Sequence, residues 1–132
     1  MNPAETIARH RLTRARAALD EGDLLIGRDH FSGALNRVYY AGFYAARAVL
    51  ATVNADSSRH SGVISLFQQH FVRTGLVPAE VAKALPRAFE KRQTSDYGDF
   101  SEPTREEVVS LRDQVQLLIA ACEQIVDRPP SA

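Results

Sequence analysis

The stretch Ala34-Leu-Asn-Arg-Val-Tyr-Tyr-Ala-Gly-Phe-Tyr-Ala-Ala-Arg-Ala-Val-Leu50 decides the fold. Its apolar side chains recur at intervals of three and four, the period of one helical face. Carried in both directions, the register gives Phe31, Leu35, Val38, Ala41, Ala45, Val49 and Val53 as one stripe. Asp29 before the stripe is of N-cap type, and the Asn54-Ala-Asp-Ser-Ser58 cluster after it is of loop type. The spacing therefore predicts a helix of about 24 residues, roughly 36 Å long.

On its N-terminal side, Ala8, Leu12, Ala15, Leu19, Gly22 and Ile26 recur at helical spacing, while Arg9, Arg11, Arg14, Arg16, Asp20 and Glu21 occupy other faces. That is an amphipathic first helix, with Gly27 as its expected stop. Beyond the loop, Val63, Ile64, Phe67, Phe71 and Val72 mark a third helix that Gly75 should end. Pro78 can open a fourth helix carrying Val81, Leu85, Ala88 and Phe89. Pro86 in that register removes a hydrogen bond and crowds the preceding turn, so a kink or split is expected near Ala84. Thr104-Arg-Glu-Glu107 has the form of a capping box. It opens a last helix in which Val108, Leu111, Val115, Leu118, Cys122 and Ile125 alternate by three and four.

No segment alternates apolar and polar residues long enough for a strand, and the short connections set neighbouring helices antiparallel. Ala34–Ala41 looks superficially like one helix of a tetratricopeptide unit, but it occurs once, and that reading fails. The expectation is an all-α, up-and-down antiparallel bundle of four to five helices over residues 1–127, with 128–132 a frayed tail.

The length of 132 residues suits one domain. Sixteen basic and sixteen acidic side chains cancel, so no net field draws the chain onto nucleic acid or anionic lipid, and any RNA contact must be local. A single cysteine, Cys122, excludes an internal disulfide and a multi-cysteine zinc site and fits a reducing compartment. Met1-Asn-Pro-Ala-Glu-Thr has no basic start before an apolar core, and no apolar run approaches the roughly 20 residues of a membrane span. The expectation is a soluble, cytoplasmic protein without membrane contact.

Three features carry chemistry. Arg92-Gln-Thr-Ser-Asp96-Tyr97-Gly-Asp99 reads as a charged turn closing a helix, in which a permanent cation is followed by two carboxylates and a phenol, a set suited to phosphate. Its alternative is a helix end and a solvated turn. Arg37, Tyr40, Tyr44 and Arg47, separated by three, four and three positions, share one face that could stack bases and grip phosphates, or could be packed rings edged by paired arginines. Among His10, His30, His60 and His70, His60 is the one of interest, because Ser58-Arg59-His60-Ser61 begins a helix where backbone N–H groups could meet a phosphate. No metal-type spacing occurs, so neither metal nor cofactor is expected.

Three blocks together resemble the HEPN family of small prokaryotic helical-bundle proteins: Ala34–Leu50; His60-Ser-Gly-Val-Ile-Ser-Leu-Phe67 with Phe71-Val-Arg-Thr-Gly75; and Phe89-Glu-Lys-Arg-Gln-Thr-Ser-Asp-Tyr97. Their order and spacing cover most of the chain. The resemblance implies a bundle that commonly dimerises and is often encoded beside a minimal nucleotidyltransferase, as a toxin–antitoxin pair. Many members are metal-independent ribonucleases whose motif is an arginine, four to six residues, then a histidine, the two motifs of a dimer facing each other across a cleft. Arg92 matches the arginine, but the histidine's place, with a four-residue spacer, is held by Tyr97.

A phenol with an ordinary pKa of about 10 is a poor base at pH 7, so ribonuclease activity is expected to be weak or absent. The catalytic candidates are Arg92, to stabilise charge on phosphorus, and Asp96 or Tyr97, to orient the 2′-hydroxyl. Arg37, Tyr40, Tyr44, Arg47 and His60 are the candidates for nucleotide or RNA binding. In some related pairs the transferase attaches AMP to a tyrosine near the motif, which makes Tyr97 a candidate for modification. The expected partners are a second copy, a nucleotidyltransferase, and RNA or a nucleotide. The alternative is a non-catalytic nucleotide- or RNA-binding subunit of a nucleotidyltransferase complex.

Overall fold

In the computed structural model the described residues are 2–97, Tyr97 by its backbone alone, and 102–128. Helix α1 spans Pro3–Gly27. The Asn2 side chain accepts the Glu5 N–H at 2.8 Å, and Pro3 sits where a helix has no use for its missing donor. The chain then reverses within three residues. Asp29 takes a left-handed φ of 60°, and the His30 N–H reaches the Leu25 carbonyl at 2.9 Å. Helix α1 stops at Gly27 as expected, but the expectation of Asp29 as N-cap is corrected: Asp29 takes the left-handed position that short polar residues tolerate, leaving His30 as an N-cap without a side-chain bond.

Helix α2, Phe31–Ala51, has 21 residues. It stops two residues before Val53 because Asn54 adopts a left-handed φ of 54° and the Ala55 N–H closes on the Leu50 carbonyl at 3.0 Å. Every predicted stripe position from Leu35 to Val49 is buried, and α2 packs against α1, α3, α5 and α6. Gly42 sits where a Cβ would meet Leu85, Val115 and Leu118 at 3.6 to 3.7 Å, so three helices converge closely at that point.

Helix α3, His60–Phe67, runs into a π-helical turn, Gln68–Val72, and Gly75 at a φ of 79° ends the segment as its position predicts. Next come α4, Ala79–Ala82, and α5, Ala84–Tyr97, split at Lys83. Pro86 thereby falls in the first turn of α5, where the donor it lacks would have had no helical acceptor. Helix α5 continues through Arg92 to Tyr97, which corrects the reading of that stretch as a turn. Asp96 stands one helical turn beyond Arg92 and pairs with it at 3.3 Å, and Gly98 comes only afterwards. Gly98 and Asp99 lie outside the described residues.

Helix α6, Arg105–Asp127, begins with the expected capping box: Glu107 N–H donates to the Thr104 hydroxyl at 3.2 Å, and Thr104 N–H donates to the Glu107 carboxylate at 2.9 Å. Val108, Leu111, Val115, Leu118 and Cys122 are buried, while Ile125 is half-buried and Val126 takes the inner place. The opposite charges largely cancel in pairs between α1 and α6: Arg9 with Asp127 at 2.7 Å, Arg16 with Glu123 at 2.5 Å, and Arg112 in bidentate contact with Asp23 at 2.7 and 2.9 Å. There is no strand among the described residues, and the architecture is the expected all-α bundle, the broken α4–α5 counting as one of its rods. No helix among the described residues is long and apolar enough to cross a membrane.

Candidate functional site

A cluster of rings forms where α2, the start of α3 and the middle of α5 meet. Tyr39, Tyr40 and Phe43 project from one side of α2, and Phe89 and Arg92, three residues apart, share a face of α5. His60 is the first residue of α3. Its ring stacks on Phe43 at 4.5 Å with 25° between planes, and lies 5.6 Å from Tyr39 and 5.8 Å from Tyr40. Its Nδ1 is 2.7 Å from the Tyr39 hydroxyl oxygen, a hydrogen bond whose direction follows the imidazole tautomer.

Burial, followed by the positive charges of Arg92 and Arg47, holds the His60 pKa below its ordinary 6.5, so the ring is neutral near pH 7. Burial likewise pushes the Tyr39 phenol above its ordinary 10, with Arg92 opposing the shift, and the hydroxyl keeps its proton.

Arg92 lies across the same rings. Its guanidinium carbon is 5.1 Å from the centroids of both Tyr39 and Tyr40, contacts worth roughly 0.5–2 kcal/mol each. Its side chain is 22% exposed. The Nε atom is near enough to the Asp96 carboxylate, at 3.3 Å, to feel its charge, but it is out of line for a hydrogen bond. This buried N–H finds no acceptor among the described residues, and such groups cost about 1–3 kcal/mol when left unmet. A fixed, partly exposed cation therefore stands beside a neutral imidazole.

The stripe on α2 extends from this point. Arg37 lies 5.2 Å over Tyr40, Tyr40 and Tyr44 are 5.9 Å apart, and Arg14 of α1 lies 4.8 Å over Tyr44 while donating to its hydroxyl at 2.9 Å. Arg47 lies 5.9 Å over Phe43 and grips Asp56 at 2.9 Å, and Arg11 joins the pair at 3.6 Å. The Arg47 hydrogen bond holds the Asp56 carboxyl below its ordinary range. Arg37 is bonded to Asn36 at 2.9 Å and lies 3.8 Å from Glu21. Both readings of the stripe hold in part: Tyr40 and Tyr44 are half-buried and laid against guanidinium groups, yet Arg37 and Arg47 also have acidic partners. The fold thus gathers Arg92, Asp96, Tyr40 and His60 around Tyr39, with Arg37, Tyr44 and Arg47 at the edge. Tyr97 closes α5, and its side chain lies outside the described residues.

A family model for the HEPN domain matches residues 8–125. The chain belongs to the HEPN family. A UPF0332 protein of Thermotoga maritima is 37% identical over 127 residues, 96% of each chain. A second UPF0332 protein, from Gloeobacter violaceus, is 40% identical over 87 residues, 66% of this chain and 69% of its own. A protein of Methanocaldococcus jannaschii that bears the name "Putative toxin" is 30% identical over 96 residues, 73% of this chain and 65% of its own.

Sequence reasoning passed over three residues of this HEPN site, Tyr39, Phe43 and Phe89. Tyr39 stands beside Val38 on the inner side of α2, and a tyrosine in such a place needs a partner for its hydroxyl, a signal that pointed to a polar neighbour. Phe89 was legible as core, and its ring lies 5.6 Å from Tyr39 and 6.3 Å from His60.

Proposed function

We propose that this HEPN chain acts as a homodimer with a nucleotidyltransferase partner in a toxin–antitoxin or related stress module, and that its Arg92 cleft engages RNA, cleaving it weakly and without metal. The observation that carries the reading is Arg92 itself, a partly exposed guanidinium braced on two tyrosine rings beside His60. With 22% of its side chain exposed, the guanidinium can offer a phosphodiester the planar fork that is that group's preferred partner. Charge building on the phosphate oxygens during attack is stabilised by Arg92. Asp96 or Tyr97 orients the 2′-hydroxyl, while Arg37, Tyr40, Tyr44, Arg47 and His60 stack bases and hold flanking phosphates. Family membership supports the dimer and the partner, and the name borne by the archaeal relative supports the module.

The chain lacks a histidine at the family spacing after Arg92, which favours a second reading, a subunit that holds RNA or a nucleotide without cutting it. Expression in a bacterial host tests the module. The chain alone should arrest growth, Arg92→Ala should relieve the arrest, and co-expression with a nucleotidyltransferase encoded beside it should relieve it through a stable complex. Harmless expression, with no complex formed, would overturn the module.

A further inference from the structure

His60 and Arg92 come from different helices yet rest on the same two rings, Tyr39 and Tyr40. We propose that His60 is the proton-carrying catalytic residue of the Arg92 cleft and that Tyr39 is its positioning residue. The inference rests on the reading that the cleft engages an RNA phosphodiester, and it deepens that reading by assigning the base.

The geometry fixes the imidazole twice. Phe43 sets the plane of the ring by stacking at 4.5 Å, and Tyr39 sets its rotation through the 2.7 Å bond to Nδ1. When Nδ1–H donates to the Tyr39 oxygen, the lone pair at Nε2 is free to act as a base. A phenolic hydroxyl both donates and accepts, so Tyr39 can bond the ring before and after it gains a proton. The charged groups acting on the ring are Arg47 of α2 and Arg92 of α5, both positive. Asp56 is engaged by Arg47 and Arg11, and Asp96 by Arg92. The uncharged neighbours are Tyr39, Tyr40 and Phe43 of α2 and Phe89 of α5. This environment keeps His60 unprotonated near pH 7, the form a base requires.

In the step that follows, Nε2 takes the proton of the ribose 2′-hydroxyl as the 2′-oxygen forms its bond to phosphorus. The bond from phosphorus to the 5′-oxygen breaks, its electron pair goes to that oxygen, and the oxygen takes a proton from water. The imidazolium returns its proton to the hydroxide left behind. One strand ends in a 2′,3′-cyclic phosphate and the other begins with a free 5′-hydroxyl, and no metal or further reactant enters the balance.

The test compares wild type, His60→Gln, Tyr39→Phe and Arg92→Ala on a fluorescent single-stranded RNA in the presence of chelator, with cleavage and binding measured separately. His60→Gln should lower cleavage at saturating RNA by about a hundredfold or more, a loss larger than any change in affinity. Tyr39→Phe keeps the ring but removes the acceptor for Nδ1–H, so the acid limb of its pH–rate profile should move to lower pH and kcat should fall with KM unchanged. A second readout does not depend on turnover: in wild type, the His60 imidazole resonance should titrate at higher pH once a 2′-deoxy RNA that cannot be cut is bound, because the phosphate favours the cation. Wild-type cleavage by His60→Gln, or a His60 resonance indifferent to the bound RNA, would overturn the assignment while leaving the Arg92 reading in place. A wild type that binds no RNA would overturn both.

Discussion

Arg92 is the residue on which structure most changes expectation. As a surface arginine its removal would cost almost nothing, but with 22% of the side chain exposed and two rings beneath it, the balance is different. Losing two cation–π contacts outweighs the relief of removing an unmet donor, so Arg92→Ala should lower unfolding stability by about 1 kcal/mol, measurable by urea titration with the helical signal unchanged. His60 gives a pH dependence of definite sign. Its folded pKa lies below its ordinary 6.5, so the unfolded chain binds more protons in between. The contribution of His60 is present in full above about 6.5 and is lost as pH falls through the folded value. Melting temperature should therefore drop between pH 7 and 5 in wild type and drop less in His60→Gln. His60 was legible as a functional candidate from its place at a helix start. Its contact with Tyr39 was not, because packing of α3 on α2 is a tertiary event that no local spacing encodes. The candidacy of Tyr97 for modification has its own check: intact mass after incubation with a nucleotidyltransferase encoded beside this chain, ATP and Mg²⁺ should show AMP on wild type and none on Tyr97→Phe, and adducts that persist on the variant would remove that candidacy.

Among the elements, the features written in short local codes were legible. The capping box at Thr104 and the split before Pro86 both formed because each is decided within one helical turn. Thr104→Ala should cost about 1 kcal/mol, since it leaves the Glu107 N–H without its acceptor. Gly42 makes the opposite case. An alanine Cβ there would stand at ordinary contact distance from Leu85, Val115 and Leu118, and alanine is the better helix former, so Gly42→Ala should stabilise α2 by up to about 1 kcal/mol. Thermal unfolding of the two variants checks both signs. The ends of α1 and α2 were less legible, because the left-handed positions at Asp29 and Asn54 depend on where the next helix must start. Two other cues stood in the sequence unused: Asn2 before Pro3 as a helix start, and Asp96 four residues after Arg92 as support for continued helix.

For the whole molecule, the bundle was legible from periodicity alone, and α2 was its centre in both sequence and structure. The neutral net charge proved to hide an uneven arrangement. Arginines on α1 and α6 are held by carboxylates across the helix pair, whereas among the described residues Arg92 has the misaligned Asp96 as its carboxylate partner, and the α2 stripe keeps cations against tyrosine rings. The homodimer proposed from family membership predicts twice the chain mass, 14.6 kDa, by light scattering at tens of micromolar, and a strict monomer there would remove the facing-motif arrangement. The central claim is that RNA is held at Arg92, and fluorescence anisotropy of a labelled single-stranded RNA at fixed salt tests it most directly. Wild type should bind saturably and Arg92→Ala should bind at least about tenfold more weakly, the loss of one charge-assisted contact to phosphate. Equal affinity of the two folded proteins for the RNA would contradict the account.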